Sequence, residues 1–279
     1  MEELNTTIAD EILAENQPEF TGHILAIEIN DFIPAGKKPL GNRSRVIPNI
    51  LHLLDYIDKH RVEGNFYTTP ELMRDFPEIV SLVSSRGHEI GLCCDYRDSK
   101  NPEDFHRYKD ELELIINRKT CGIMLKSDLE NVWQRLKMLA SDGFYYSVTD
   151  FHSGYLKDIS FRKKLKFDNN SCIHIFPSSR FKFWGINIEF GQPGRIRLYP
   201  YWFLRRCLRH FTQHHIPAII NFPLWEFDPH LPKQSLNPLK SLRSYGNLTL
   251  AEFKLTQLLL EFDFVRITRY LDLENSDDK

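Results

Sequence analysis

The segment GHEIGLCCDYR, residues 87–97, predicts a helix end, a buried strand and a polar loop in immediate succession. Gly87 follows apolar residues at helical spacing, and glycine tolerates the left-handed conformation in which many helices end. Residues 88–93 then form the predicted strand, and the polar residues 95–97 begin the loop that leaves it. Because a helix that leads into a strand is the repeating unit of α/β proteins, this segment favours a parallel sheet.

The same alternation continues along most of the chain. A first strand is predicted at residues 24–29, where ILAIEI is apolar enough to be covered on both faces. Further strands are predicted near residues 64–67, 120–125, 144–148, 218–222 and 264–267, with helices near 46–57, 70–86, 103–116, 127–142, 203–211 and 249–262. Capping boxes, Ser127 with Glu130 and Thr249 with Glu252, are predicted to open two of these helices. Repeated βα units of this kind favour a (β/α) barrel.

The predicted organisation is one barrel domain over residues 21–271. An N-terminal extension, residues 1–20, precedes it, and a flexible tail, residues 272–279, follows it. The segment 151–192 is rich in Phe, Lys and Arg and breaks the regular alternation, so we expect it to be an irregular insertion.

Composition places the chain among ordinary globular proteins. Of 279 residues 42% are hydrophobic, and the formal charge is -2 with both signs interspersed, which argues against a nucleic-acid partner. The five cysteines include no C-x-x-C pair, so neither a disulfide framework nor a structural zinc knuckle is indicated. The start of the chain has no basic n-region, and no run reaches the roughly 20 apolar residues of a transmembrane segment. A cytoplasmic protein is predicted.

Four phrases, in this order and spacing, carry a resemblance to a known family. They are AIEINDF (residues 26–32), GHEIG (87–91), RLYPY (197–201) and WEFDP (225–229), the last followed by YGNL (245–248). Together they resemble the polysaccharide deacetylase family, also called the NodB homology domain or carbohydrate esterase family four. The closest likeness is to its subgroup associated with bacterial exopolysaccharide and O-antigen synthesis. The resemblance implies a distorted (β/α) barrel of polysaccharide deacetylase type, with its site at the C-terminal ends of the strands.

The resemblance also shows where this chain departs from active relatives. In those relatives an Asp-His-His set binds a divalent metal that activates water, a separate Asp acts as base and a late His acts as acid. The strand-one phrase here has Glu28 in place of its first Asp and Asn30 at the next acidic position. Asp31 is the carboxylate retained in kind. Asp31 and Glu28 are therefore the catalytic candidates.

The positions of the metal ligands are changed as well. The two metal histidines align with Cys93 and Arg97, the arginine of the family's G-[YF]-R-x-P phrase with Met124, and the late histidine with Pro223. Arg97 matters most, because a guanidinium stays protonated and has no lone pair for a metal. Two unit charges about 4 Å apart repel by roughly 4 kcal/mol at an effective dielectric of about 20, and a dication by about twice that.

No cofactor is therefore expected at this site. The alternative is a divalent metal such as zinc, held unusually by Asp31, Cys93 and Asp95. Arg97 instead offers a fixed fork for the carboxylate or phosphate of an anionic sugar. The predicted substrate-binding residues are Arg97, Asn30, Trp225 and Glu226, and His88 is expected to be a hydrogen-bonded core residue.

Three functional hypotheses remain open. The first is a non-hydrolytic or much altered member that binds a saccharide, a nucleotide-linked or lipid-linked sugar, or a partner enzyme of the same pathway. The second is a working amide hydrolase that removes an acetyl or formyl group from an amino sugar, with Asp31 or Glu28 as base. The third is a structural partner in a biosynthetic complex.

Overall fold

The fold consists of strands and helices that alternate along the chain. The computed structural model describes residues 21–30, 45–94, 103–126, 132–149, 162–167, 170–228, 230–231 and 245–272. The strands are β1 (Ile24–Ile29), β2 (Asn65–Thr68), β3 (Glu89–Cys94), β4 (Gly122–Leu125), β5 (Tyr146–Thr149), β6 (Lys163–Lys166), β7 (Cys172–Pro177), β8 (Arg180–Phe183), β9 (Ile186–Glu189) and β10 (Ile219–Pro223). The α-helices are α1 (Val46–Lys59), α2 (Pro70–Asp75), α3 (Pro77–Ser85), α4 (Glu103–Ile116), α5 (Val132–Ser141), α6 (Arg195–Leu198), α7 (Tyr201–Gln213), α8 (Leu248–Glu261) and α9 (Ile267–Tyr270). A 3₁₀ turn, Leu224–Phe227, follows β10.

Eight strands form one curled sheet in the order β10-β1-β2-β3-β4-β5-β7-β6. Every neighbouring pair from β10 to β7 is parallel, and β6 pairs antiparallel with β7. Within the described residues the edge strands β10 and β6 do not pair with each other. The structure confirms the predicted α/β class, and the curled sheet is consistent with the predicted distorted (β/α) barrel, but within the described residues it is a half-barrel and not a closed one. Closure depends on strand tilt and register around the whole sheet, which local sequence patterns do not specify.

The two faces of the sheet pack into two different clusters, because successive side chains of a strand point to opposite faces. On β1, Leu25 and Ile27 belong to the outer cluster, which includes apolar residues of the helices. Ile24 and Ala26 belong to the inner cluster, inside the curl. The inner cluster also contains Tyr67, Cys93, Met124, Tyr146, Val148 and Phe176. Side chains therefore fill the interior of the half-barrel.

The helices differ from prediction at two places. The helix predicted over residues 70–86 is split into α2 and α3 at Pro77, because proline cannot donate a backbone hydrogen bond inside a helix. The predicted capping box of Thr249 and Glu252 is wrong, since α8 starts after Asn247, which adopts a left-handed conformation with φ of 59°. None of the helices within the described ranges combines the length and hydropathy needed to cross a bilayer.

Part of the segment predicted to be an irregular insertion belongs to the main sheet. Between residues 151 and 192, β7 lies between β5 and β6, while β8 and β9 form a separate antiparallel hairpin. The prediction is wrong for these strands because β6 is a lysine-rich edge strand and only part of β7 is fully buried. The predicted extension (residues 1–20), the predicted cap at residues 127–130 and the tail beyond residue 272 lie outside the described residues.

The final predicted strand, residues 264–267, is also wrong. Phe264 forms a single bridge with His23, and Ile267 begins α9. The side-chain amide of Asn65 makes hydrogen bonds to the backbone of this segment. Its Oδ1 accepts the backbone N–H of Ile267 at 2.7 Å, and its Nδ2 donates to the carbonyl of Val265 at 3.2 Å. A buried side chain thus satisfies backbone groups that would otherwise need a neighbouring strand.

Candidate functional site

An ion pair lies at the C-terminal ends of β1 and β4. Glu28 follows the inward-facing Ala26 by two residues on β1, and Lys126 follows the inward-facing Met124 by two residues just after β4. The Lys126 Nζ donates to Glu28 Oε2 at 2.5 Å. The side chain of Glu28 is 8% exposed and that of Lys126 is 30% exposed. These two residues lie at the mouth of the half-barrel, the edge formed by the C-terminal ends of the parallel strands.

The pair spans the interior, because β2 and β3 lie between β1 and β4 in the sheet. Attraction between two unit charges about 4 Å apart is worth roughly 4 kcal/mol at an effective dielectric near 20. A carboxylate held in this way already has a cationic partner. Glu28, predicted as a catalytic candidate, therefore lies at the mouth as one member of an ion pair, and its catalytic role stays a prediction.

The described residues at the mouth include a thiol and a thioether but no set of three metal ligands. Cys93 and Met124 are register partners on β3 and β4, each 2% exposed within the inner cluster. Across the described ranges, no three His, Cys, Asp or Glu side chains are grouped so as to hold a metal. The Lys126 ammonium, which pairs with the Glu28 carboxylate, would also repel a dication.

Three of the predicted site residues cannot be placed. Asp31, Asp95 and Arg97 lie outside the described residues. The predicted catalytic role of Asp31, the predicted sugar-binding role of Arg97 and the alternative metal set of Asp31, Cys93 and Asp95 therefore stay predictions.

Asn30 ends the first strand segment next to this pair. Its Oδ1 is buried and has no hydrogen-bond donor among the described residues. A buried amide oxygen without a donor costs free energy, and a bound hydroxyl group is one chemical group that can satisfy it. Its predicted place in substrate binding is compatible with this geometry.

The predicted substrate-binding residues Trp225 and Glu226 contact a buried arginine. Arg197 Nε lies 3.0 Å from Glu226 Oε2, and the two side chains are 2% and 1% exposed. The guanidinium carbon also lies 5.1 Å from the centre of the Trp225 ring. Burial raises the pKa of Glu226, and the charge of Arg197 opposes that rise. Glu226 therefore has an internal structural partner, whereas Trp225 is only partly buried.

Arg197 joins the three late phrases on which the resemblance rests. Its Nη1 donates to the carbonyl of Gly246 at 2.8 Å, and its own carbonyl accepts from Lys254 Nζ at 2.6 Å and from Asn247 Nδ2 at 3.2 Å. The RLYPY, WEFDP and YGNL phrases thus meet around one buried cation. Sequence reasoning named the phrases but assigned Arg197 no role.

Asp228 ties the loop after β10 to the start of α1. Its side chain is 1% exposed and accepts two hydrogen bonds from the Arg45 guanidinium, one from Asn49 Nδ2 at 3.3 Å and one from the His230 backbone N–H at 2.9 Å. Burial alone would raise the pKa of Asp228, but these donors outweigh it and hold the pKa below its ordinary value. The Arg45–Asp228 ion pair therefore connects the start of α1 to the end of the 3₁₀ turn after β10.

His88 is confirmed as a hydrogen-bonded core residue. It is 2% exposed, its Nε2 lies 3.0 Å from Asp58 Oδ1, and its Nδ1 accepts the backbone N–H of Gly64 at 3.3 Å. Because His88 comes just before β3, it lies at the end of the sheet opposite the mouth.

Comparisons with known proteins agree with this architecture. Residues 145–272 match the family described as Domain of unknown function (DUF3473). A 76-residue segment is 30% identical to peptidoglycan-N-acetylmuramic acid deacetylase PdaA of Bacillus subtilis (strain 168), and it spans 27% of this chain and 28% of that protein.

Similar structures cover nearly the whole chain. A Mycobacterium smegmatis protein assigned as a polysaccharide deacetylase aligns with a TM-score of 0.55 at 15% identity, over 89% of each chain. A Pseudomonas aeruginosa PAO1 protein with the same assignment aligns at 0.56 and 11%, over 88% of each chain. The Puue allantoinase aligns at 0.57 and 9%, over 88% of this chain and 87% of that one. The chain therefore has the polysaccharide deacetylase fold, which does not by itself fix a reaction.

Proposed function

We propose that this chain binds a saccharide at the mouth of its half-barrel without divalent-metal hydrolysis, as a component of bacterial surface-polysaccharide (O-antigen or exopolysaccharide) biosynthesis. The observation that carries the proposal is the Lys126–Glu28 ion pair, with Nζ and Oε2 2.5 Å apart. It places an ammonium donor and a carboxylate acceptor together at the strand ends, where barrels of this type hold their ligands.

The chemistry around the pair suits a sugar. Lys126 offers ammonium donors that are partly exposed, Glu28 offers a carboxylate acceptor, and the Oδ1 of Asn30 is a buried acceptor. Glu28 is the register partner of Pro223, after which the chain turns through Trp225. A half-buried indole near hydrogen-bonding groups is a common way to hold the flat apolar face of a sugar ring.

The charge at the mouth favours an acidic saccharide. Lys126 balances the charge of Glu28. The net positive charge that favours an acidic ligand therefore rests on Arg97, at the position that the resemblance gives it. Arginine and lysine both bind carboxylates and phosphates, arginine in a bidentate way. We therefore propose a uronic-acid-containing saccharide, or a sugar that carries a phosphate link to a nucleotide or lipid, as the ligand class. A cytoplasmic location and a partner enzyme of the same pathway complete the proposal.

Calorimetric titration with an acidic oligosaccharide tests this role. Lys126→Met is expected to weaken binding at least about tenfold, since a lost charge-assisted hydrogen bond is worth about 1.5–3 kcal/mol. Glu28→Gln leaves Lys126 in place and removes its competing carboxylate, so this variant is expected to bind as tightly as the wild type or more tightly. Lys119→Met is the matched control, because Lys119 is 80% exposed and pairs with Glu113 instead.

A hydrolysis assay on the same purified protein distinguishes the proposal from the amide-hydrolase alternative. Acetate or formate release from an acylated amino-sugar oligosaccharide is measured with the wild type and with Asp31→Asn. The proposal predicts no release above the buffer blank. Turnover that is lost in Asp31→Asn would establish the hydrolase instead, and protein that neither binds nor hydrolyses sugars would leave the structural-partner hypothesis.

A further inference from the structure

The β8–β9 hairpin presents an exposed tryptophan at a tight turn. Trp184 is 91% exposed, and Ile186, which pairs with Phe183 across the hairpin, is 68% exposed. Both turn residues, Trp184 and Gly185, have positive φ angles of 48° and 81°. Asparagine, aspartate and glycine are the usual residues of such a turn, because a bulky side chain in this conformation is strained. A large apolar residue is therefore held at a position where local stability favours a small polar one.

Ring contacts through the buried Phe203 connect the exposed tip to a second exposed tryptophan, on α7. The Trp184 and Phe183 rings are stacked with centroids 5.5 Å apart and planes at 5°. Phe183 contacts Phe203 at 6.4 Å, and Phe203 contacts Trp202, which is 63% exposed, at 5.9 Å. These five residues, Phe183, Trp184, Ile186, Trp202 and Phe203, form what we call the aromatic patch.

Basic side chains border the aromatic patch. The Arg206 guanidinium lies 6.0 Å from the centre of the Phe183 ring, and Lys182, two residues before Trp184, is exposed on β8. Two further arginines of α7, Arg205 and Arg209, share the single carboxylate of Glu261 at 2.6 and 2.8 Å, which balances only one of their two charges. Helix α7 itself contains no Asp or Glu. The rim of the patch is therefore positively charged.

We propose that the aromatic patch docks on the surface of an anionic lipid bilayer. Tryptophans are enriched at the membrane–water boundary, where the ring sits at the level of the headgroups, and adjacent Lys and Arg add attraction to anionic lipids. Large exposed apolar side chains grouped together and bordered by charge, as Trp184, Ile186 and Trp202 are here, mark an interaction site. A second copy of the chain fits less well, because a symmetric contact would bring the two positive rims together. This docking does not depend on the proposed sugar site.

The test is co-sedimentation of the full chain with lipid vesicles. Vesicles of phosphatidylcholine alone are compared with vesicles that contain phosphatidylglycerol in equal parts, and tryptophan emission is followed in parallel. The informative variant is Trp184→Asn, because asparagine accepts the positive φ and keeps the hairpin folded. Leu114→Asn, on α4, is the matched control, since Leu114 is 84% exposed outside the patch.

The wild type and Leu114→Asn are expected to sediment with the anionic vesicles, with a blue shift of tryptophan emission, and to be released by salt. Trp184→Asn is expected to bind at least about tenfold more weakly, as is Trp202→Asn. Failure of the wild type to bind anionic vesicles would overturn the proposal, as would equal binding by Trp184→Asn. A wild-type dimer in analytical ultracentrifugation that Trp184→Asn dissociates would also overturn it, because the patch would then be a self-association surface.

Discussion

Replacement of Arg197 by methionine is expected to destabilise the protein more than the removal of a surface ion pair does. The Arg197 side chain is 2% exposed and Glu226 is 1% exposed, so removal of the guanidinium leaves a carboxylate buried without its cation. It also removes the donor to the Gly246 carbonyl. Loss of one partner of a buried ion pair typically costs about 3–5 kcal/mol, a large share of the roughly 5–15 kcal/mol that stabilises a typical domain.

Equilibrium urea unfolding measures this cost. Arg197→Met is expected to lower the free energy of unfolding by about 3–5 kcal/mol with little change in the slope against urea. The control is Arg74→Met, which removes a two-pronged ion pair with Glu111 on the surface, where the side chains are 46% and 34% exposed. Such an exposed pair contributes about 0–1 kcal/mol.

The double variant Arg197→Met, Glu226→Leu refines the test. Because it removes both charges, it is expected to lose less stability than the sum of the two single variants. A loss below about 1 kcal/mol for Arg197→Met, equal to that of Arg74→Met, would refute the reasoning. The packing of the three segments RLYPY, WEFDP and YGNL would then not depend on the buried Arg197 side chain.

Two further predictions concern the core. Burial lowers the pKa of His23 to about 3, and its Nδ1 accepts the Ala218 N–H, so the unfolded chain takes up a proton first as the pH falls. This contribution is complete above about pH 6.5 and is lost as the pH falls toward 3, by up to about 1.4 kcal/mol per pH unit. Urea midpoints between pH 7 and pH 5 are therefore expected to fall less in His23→Gln than in the wild type, and a parallel fall would contradict the assignment. Gly122→Ala is expected to destabilise by at least about 1–3 kcal/mol in urea unfolding, because its Cβ would lie 2.1 Å from the Tyr146 hydroxyl, and a neutral effect would contradict the packing.

Sequence patterns predict the parallel part of the sheet because its strands are short apolar runs between helices with regular periodicity. β1 is the clearest case, with every residue from Ile24 to Ile29 buried. β7 was not predicted because two of its first three residues are only half-buried and it pairs with a lysine-rich edge strand. The open edge of the half-barrel depends on long-range register, which no local window contains.

The candidate site, too, was predicted only in part: its residues were located from the sequence, but their partners were not. Resemblance located Glu28 and Asn30 at the end of β1, but the partner of Glu28 is Lys126, 98 residues away. The available signal was the inward alternation from Gly122 through Met124, which places Lys126 on the interior face. Glu226 was predicted to bind substrate because it stands beside Trp225 after a strand, but its contact with Arg197 becomes visible only in three dimensions.

The most direct test of the account is the metal content of the full chain, purified without chelator, dialysed against zinc and then against buffer, and analysed by plasma mass spectrometry. If the ammonium of Lys126 neutralises the carboxylate at the mouth, bound zinc stays far below one equivalent in the wild type. One equivalent of zinc that is lost in Glu28→Gln would contradict the account, because a dication and not Lys126 would then be the partner of that carboxylate.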